Sequence, residues 1–276
     1  MNLHNKNAVI YGVGESLGGA VARALAHAGA TVFLTARDLK KAQAIANAIT
    51  ASGGRAEAAE VDALDEDAVN RHAARVAEKA GSLDVSFNLI NMRDVQDIPL
   101  TEMTCADFLQ PVTIAMRTQF LTATAAGRIM SRQGSGVILT LTATPGGIGY
   151  AKVGGFGPAC CAIEGFSRNL AAELGPGGVR VVNIRSAGSP DSRPFKEALT
   201  QGGETAAAFI EKLKDDTMLK ELPLMEDIAH TAVFLASSMA RAITGVTVDV
   251  TAGTTGALNY KMPSIAFVKE QTTAGK

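Results

Sequence analysis

The sequence predicts an α/β fold: one doubly wound domain, residues 1–276, with a mainly parallel sheet of about seven strands. Short apolar or β-branched runs alternate with longer amphipathic stretches from residue 8 to residue 250. A glycine-rich turn joins the first strand to the first helix. Nothing in between reads as a repeat, linker or low-complexity tract that would mark a boundary.

Ala8 to Tyr11 is a short apolar strand ending in Gly12-Val13-Gly14. The stretch after it carries Leu17, Val21, Ala24, Leu25 and Ala28 on one helical stripe and stops at Gly29, and Thr31–Thr35 is the second strand. Asp38 caps a helix running to Ser52, Arg55–Asp62 is the third strand and Leu64–Ala80 the third helix. Leu83–Ile90 is strand four, 93–101 is irregular, and Cys105–Gln133 is a long helix with Pro111 near its start. Val137–Thr142 is strand five, and a Gly- and Pro-rich loop, 144–157, follows it, of the kind that sits over a site. Pro158–Leu174 is a helix striped by Ala159, Ile163, Phe166, Leu170 and Leu174, followed by strand six at Val179–Arg185. Residues 189–222 break the alternation as a polar, helical, lid-like insertion. Met225–Ser238 is a helix, Val246–Val250 the last strand and 254–276 a tail. The chain thus divides into a glycine-rich half, about 6–135, and a second half, about 136–256.

With 26 basic and 27 acidic residues and no basic block, neither nucleic acid nor an anionic membrane is expected as a partner. No apolar run approaches a membrane span, and the N-terminus lacks a basic-then-apolar leader pattern. Cys105, Cys160 and Cys161 are odd in number and lack metal spacing, which predicts reduced thiols, a cytoplasmic setting and no metal site.

Residues 8–37 form a βαβ unit whose glycines have separate uses. Gly12 permits the tight turn, Gly14 admits a pyrophosphate close to backbone, and Gly18 or Gly19 lets the helix sit close to the strand. The helix N-terminus then offers free N–H groups to phosphate, which makes this a Rossmann-type dinucleotide site.

On these residues the chain resembles the short-chain dehydrogenase/reductase family from about Lys6 to Gly256. The family's TGxxxGxG reads here Tyr11-Gly12-Val13-Gly14-Glu15-Ser16-Leu17-Gly18. Asp62 in EVDALD matches its aspartate near the adenine, and Asn88 the first Asn of its NNAG. GVRVVNIRSAGSPDS is similar to its strand and PG loop, and residues 226–253 to its closing helix and strand. The resemblance implies a cofactor site of Gly12, Gly14, Ser16, Leu17, Gly18, Arg37, Asp62, Ala63, Asn88, Gly188 and Ser192. Ala36 occupies the family's NAD-type aspartate position and Arg37 follows, so NADP(H) is favoured over NAD(H). The resemblance also implies a homodimer or homotetramer built on the two long helices.

The family's Asn-Ser-Tyr-Lys tetrad falls on Ala115, Ala143, Phe156 and Cys160, none of which carries the expected group. Phe156 stands thirteen positions after Ala143, the family's usual interval. Phe156 and Cys160 stand i, i+4 and share a helix face, either as an apolar filling or, were the Cys160 pKa lowered, as the setting of a nucleophile. Tyr150, Asp94 and Thr142 are the candidate replacements, with Thr144, Lys152, Arg93, Asp97, Asp191 and Arg193 near the same strand ends. His4, His27, His72 and His230 lie away from them.

Three functions stay open. One is an NADP(H)-dependent oxidoreductase reducing a small carbonyl, enone or imine-type substrate without the Tyr/Lys acid. Another is a catalytically silent relative that holds NADP(H) or a small ligand as partner or sensor. A non-redox enzyme using Cys160 or Asp94 is a third.

Overall fold

The computed structural model describes residues 2–256, so the predicted tail lies outside the described residues from 257 onward. Strands β1 (Asn7–Tyr11), β2 (Thr31–Ala36), β3 (Arg55–Glu60), β4 (Val85–Asn88), β5 (Gly136–Ala143), β6 (Val179–Ser186) and β7 (Thr247–Val250) form one sheet in the order β3-β2-β1-β4-β5-β6-β7. Every pairing is parallel. The helices are α1 (Leu17–His27), α2 (Leu39–Ala51), α3 (Glu66–Ala80), α4 (Cys105–Gln133), α5 (Phe156–Leu174), α6 (Arg193–Asp215) and α7 (Met225–Ala236).

Alternate strand residues enter opposite cores, as the two-residue period requires. Ala8 and Ile10 of β1 join Val21, Leu25, Ile45, Ile49 and Ile228 beneath α1, α2 and α7. Val9 and Tyr11 join Val69, Val76, Ala126 and Met130 beneath α3 and α4, with Leu170 of α5. The chain runs outward from β1 to β3, then crosses back to β4, so the order reverses between β1 and β4. A crevice opens at the carboxyl ends of those two strands, where such sheets bind ligands.

Three boundaries set the crevice. β4 ends at Asn88, whose Oδ1 turns back to accept from the Ile90 N–H at 2.9 Å. Gly12 has φ +81°, and a Cβ there would meet the Leu89 carbonyl at 2.7 Å, so only glycine lets this loop pass β4. α5 starts at Phe156 rather than at the expected Pro158, since a proline in the first turn gives up an N–H with no helical partner anyway. Just before it, a Cβ on Gly155 would lie 1.8 Å from the Phe108 carbonyl of α4. That close approach fixes where Phe156 enters the crevice.

The insertion is helical, as α6, with a non-helical break at Gly203. Among the described residues no helix is long and apolar enough to cross a membrane.

Candidate functional site

The crevice has two lobes that share Gly12, Gly14, Ile90, Asn91 and Arg193. The lobe over β2 and β3, about 510 Å³, is lined by Ala36, Arg37, Asp38, Lys41, Asp62 and Ala63. Its acids are turned to backbone: Asp38 caps α2 by accepting from Lys40 N–H at 3.0 Å, and Asp62 accepts from Leu64 N–H at 3.0 Å. Arg37 and Lys41 are thus two cations beside an alanine at the end of β2, a donor set suited to phosphate.

Between the lobes lies the N-terminus of α1. Ser16 precedes the helix without capping it through its hydroxyl, so first-turn N–H groups are left for an anion. A Cβ on Gly14 would meet nothing within 4 Å, so that residue faces open space wide enough for a pyrophosphate to approach backbone. Both observations fit a dinucleotide. The Ser16 hydroxyl accepts from Arg193 N–H at 3.3 Å and lies 3.5 Å from the Met225 sulfur, which ties the start of α6 to the glycine loop.

The second lobe, about 360 Å³, gathers Gly12, Gly14, Ser16, Leu17, Gly18 and Asn88 with Asp94, Thr142, Ala143 and Phe156. Gly188 and Ser192 line neither lobe. They stand at the base of α6, where the Phe195 ring covers Gly188 so closely that a Cβ would lie 2.1 Å from it.

The structure separates the three residues expected to replace the missing acid. Tyr150 lies in a different cavity of about 730 Å³, walled by Pro99, Leu100, Ile148, Val153 and Cys161. Burial and then Asp216 push its phenol above the usual range, so it is a poor acid there. Thr142 lines the second lobe, but its hydroxyl is taken up. It donates to Glu164 Oε1 at 2.9 Å and accepts from Asn183 Nδ2 at 2.7 Å. Asp94 alone presents its group to this lobe, with one oxygen accepting from Gln96 Nε2 at 2.6 Å.

Ala143 and Phe156 line the lobe, while Ala115 and Cys160 are buried behind it. Burial pushes the Cys160 thiol up to about 12, which removes the nucleophile reading of that residue. Asp97 and Lys152 form an exposed ion pair at 3.1 Å, and Asp191 accepts from Met225 N–H at 3.1 Å. Arg93 lines the larger lobe, and Thr144 is buried with its hydroxyl toward Ser186 O.

Two features escape sequence reasoning. The first is a buried polar network under the lobe. Glu164, one turn beyond Cys160, accepts from Arg185 Nη2 at 2.6 Å and Nε at 3.0 Å, and Arg185 also reaches Asp249 at 3.2 Å. Hydrogen bonding to Glu164 holds the Arg185 guanidinium above even its usual range. The second is Gln119, one turn beyond Ala115 on α4. It is 4% exposed, lines the second lobe, and its Oε1 has no hydrogen-bond partner.

Residues 12–255 match the family described as enoyl-(acyl carrier protein) reductase. The chain is 32% identical over 248 residues to the short-chain reductase protein NovJ of Streptomyces niveus, covering 89% of this chain and 92% of that one. It is 29% identical over 253 residues to a 3-oxoacyl-[acyl-carrier-protein] reductase of Synechocystis, covering 89% and 95%. Its fold superposes on levodione reductase with a TM-score of 0.84 at 26% identity, over 93% of this chain and 100% of the other. Nearly the whole described chain, glycine loop and closing strand included, therefore belongs to the short-chain dehydrogenase/reductase family of NAD(P)-dependent oxidoreductases.

Proposed function

We propose that this chain is an NADP(H)-dependent reductase whose substrate is an electrophile needing no acid at an oxygen atom. One observation carries the reading: a crevice lined at one end by the glycine loop, Arg37 and Lys41 opens onto an end where Ala143 and Phe156 stand at the family's Ser and Tyr positions. The relatives named above are reductases by description, which supports the direction.

Arg37 and Lys41 would hold a 2′-phosphate, the first turn of α1 and Gly14 would hold the pyrophosphate, and Asp62 and Ala63 would lie on the adenine side. Bound there, the dinucleotide supplies a hydride. The chain's own contribution is alignment and dryness. Leu89, Ile90, Met92, Leu141 and Phe156 exclude water around the acceptor, while Asn88 fixes the floor through its bond from Nδ2 to Thr122 at 3.0 Å. A protonated imine carries its charge before reaction, and a conjugated alkene receives its late proton on carbon. Neither needs a Tyr at position 156. The same reading assigns the α4–α5 face to contact with a second copy, since Phe120 is 53% exposed and its ring lies 6.4 Å from Phe166.

Fluorescence titration with NADPH and NADH, then a screen of ketones, enones and cyclic imines at 340 nm, tests the proposal. NADPH binding with turnover of an imine or enone is the expected result. Binding without oxidation across the panel would favour the silent partner, and no binding of either nucleotide would end the reductase reading together with the cofactor role of Gly12, Gly14, Gly18 and Arg37.

A further inference from the structure

We propose that Gln119 selects the substrate by donating a hydrogen bond from Nε2 to a carbonyl oxygen, so that the class of substrate is a compact, apolar, conjugated enone. This rests on the reductase reading and names the substrate class of that same lobe.

Three neutral amides line the second lobe, and in each the oxygen is already engaged or buried. Asn88 Oδ1 accepts from Ile90 N–H at 2.9 Å, and Asn91 Oδ1 accepts from Arg93 N–H at 2.7 Å. Gln119 Oε1 is shut away without a partner, so this side chain, 4% exposed, meets the lobe with Nε2. The Asn88 nitrogen is committed to Thr122 at 3.0 Å. Among the described residues the Asn91 and Gln119 nitrogens donate to no protein atom. Thr142 is closed on both sides, since it donates to Glu164 and accepts from Asn183. A ligand in the space bounded by Leu141, Ala143 and Phe156 therefore meets amide donors and no free amide acceptor.

The charged groups of the lobe do not reverse this. Glu15 and Arg193 are exposed and Asp94 is half-buried, so water screens them, whereas Gln119 acts where water is scarce. A buried donor that only the right ligand satisfies gives the strong kind of specificity, because the wrong ligand leaves it unpaired. A protonated imine would set N–H against N–H. An enone brings the oxygen, and its reduction needs no acid there: hydride adds to the β-carbon, the C=C electron pair moves toward the oxygen, and the α-carbon then takes a proton from water. NADPH is oxidised and the alkene reduced. Gln119 keeps its proton and stabilises the negative charge while it rests on that oxygen.

The test compares two bicyclic ligands of nearly equal shape, 1-tetralone and 1,2,3,4-tetrahydroisoquinoline, by calorimetric titration of the full chain with and without NADP+. Wild type should bind the ketone at least about tenfold more tightly than the amine. Gln119→Leu should lose about tenfold in ketone affinity, or about 1.4 kcal/mol, and leave the amine unchanged or tighter. Gln119→Met controls for shape and should match the Leu variant. In infrared difference spectra the carbonyl stretch of bound 1-tetralone should lie lower in wild type than in either variant, a shift that a merely structural role would not produce. Both variants should melt at or above the wild-type temperature, since they remove an unsatisfied polar atom.

Equal ketone affinity in wild type and both variants, an unshifted carbonyl stretch, or a wild-type preference for the amine would overturn the proposal. Its failure and that of the reductase reading are distinguishable. Gln119-dependent ketone binding without oxidation of NADPH by 3-methylcyclohex-2-enone would keep the selectivity and discard the reductase. Turnover of 3,4-dihydroisoquinoline but not of 3-methylcyclohex-2-enone would keep the reductase and overturn the role given to Gln119.

Discussion

Replacing Glu164 with alanine should be among the most damaging single changes outside the apolar core. Its carboxylate is 6% exposed and receives Thr142 Oγ1 at 2.9 Å, Arg185 Nε at 3.0 Å and Arg185 Nη2 at 2.6 Å. Removing one partner of a buried ion pair strands the other charge, at about 3–5 kcal/mol. Asp249 remains 3.2 Å from the guanidinium and keeps part of the countercharge. The loss therefore falls at the lower end, about 3 kcal/mol. For a chain of this size each kcal/mol moves Tm by about 2–4 °C, so Glu164→Ala should melt about 6–12 °C lower. Urea unfolding followed by circular dichroism measures the free energy, and Arg185→Met with the double variant completes a cycle. The double variant should recover at least half of the loss, because it no longer buries a lone charge. A Glu164→Ala protein within about 0.5 kcal/mol of wild type, or a double variant as unstable as the sum of the singles, would refute the ion-pair account.

Other outcomes follow from single environments. His72 is held down to about 4 by burial and then by Arg75, against an ordinary 6.5, so the unfolded chain takes up that proton first. Stability should be complete above pH 6.5 and fall as the pH drops toward 4, by up to about 3 kcal/mol, and His72→Leu should flatten that limb in pH-dependent melts. Arg37→Ala should weaken NADPH about 10- to 100-fold in fluorescence titration and leave NADH unchanged; equal losses for both would remove the phosphate role. Iodoacetamide with peptide mass mapping should label the exposed Cys105 and Cys161 in the folded protein and reach Cys160 only after unfolding.

The alternation of strands and helices was legible because each element carried its own period and its own stop. Gly81 and Gly134 end α3 and α4 in the left-handed conformation, as glycine placement suggests. The start of α5 was misread because Pro158 looks like a first helical residue, while the true start is set by how closely Gly155 meets α4. β4 is shorter than its apolar run because the Asn88 side chain intercepts the next N–H. The glycine-loop part of the crevice was legible for the same reason as the fold, being one local unit from residue 8 to residue 37, whereas Gly188 and Ser192, named with it, line neither lobe. The end walled by Ala143 and Phe156 was not legible in the same way. Glu164 pairs with a residue 21 positions away, and Thr142 looked free until that pairing was seen. Tyr150 and Asp94 both follow strand ends but fall into different cavities, since loop direction is set by packing rather than by sequence spacing. Gln119 carried one faint signal, a polar side chain one turn from Ala115 on a buried helix face.

The bond from Arg193 N–H to Ser16 Oγ joins positions 177 apart in the chain. It acts as a latch across the crevice, with the arginine side chain reaching both lobes. A long molecule laid through both would pass Arg193, and once seated it would narrow the space left for a smaller one. If the longer lobe takes the proposed nucleotide, binding should be a queue rather than a free exchange: the nucleotide should arrive first and depart last, and initial-velocity patterns should show compulsory order.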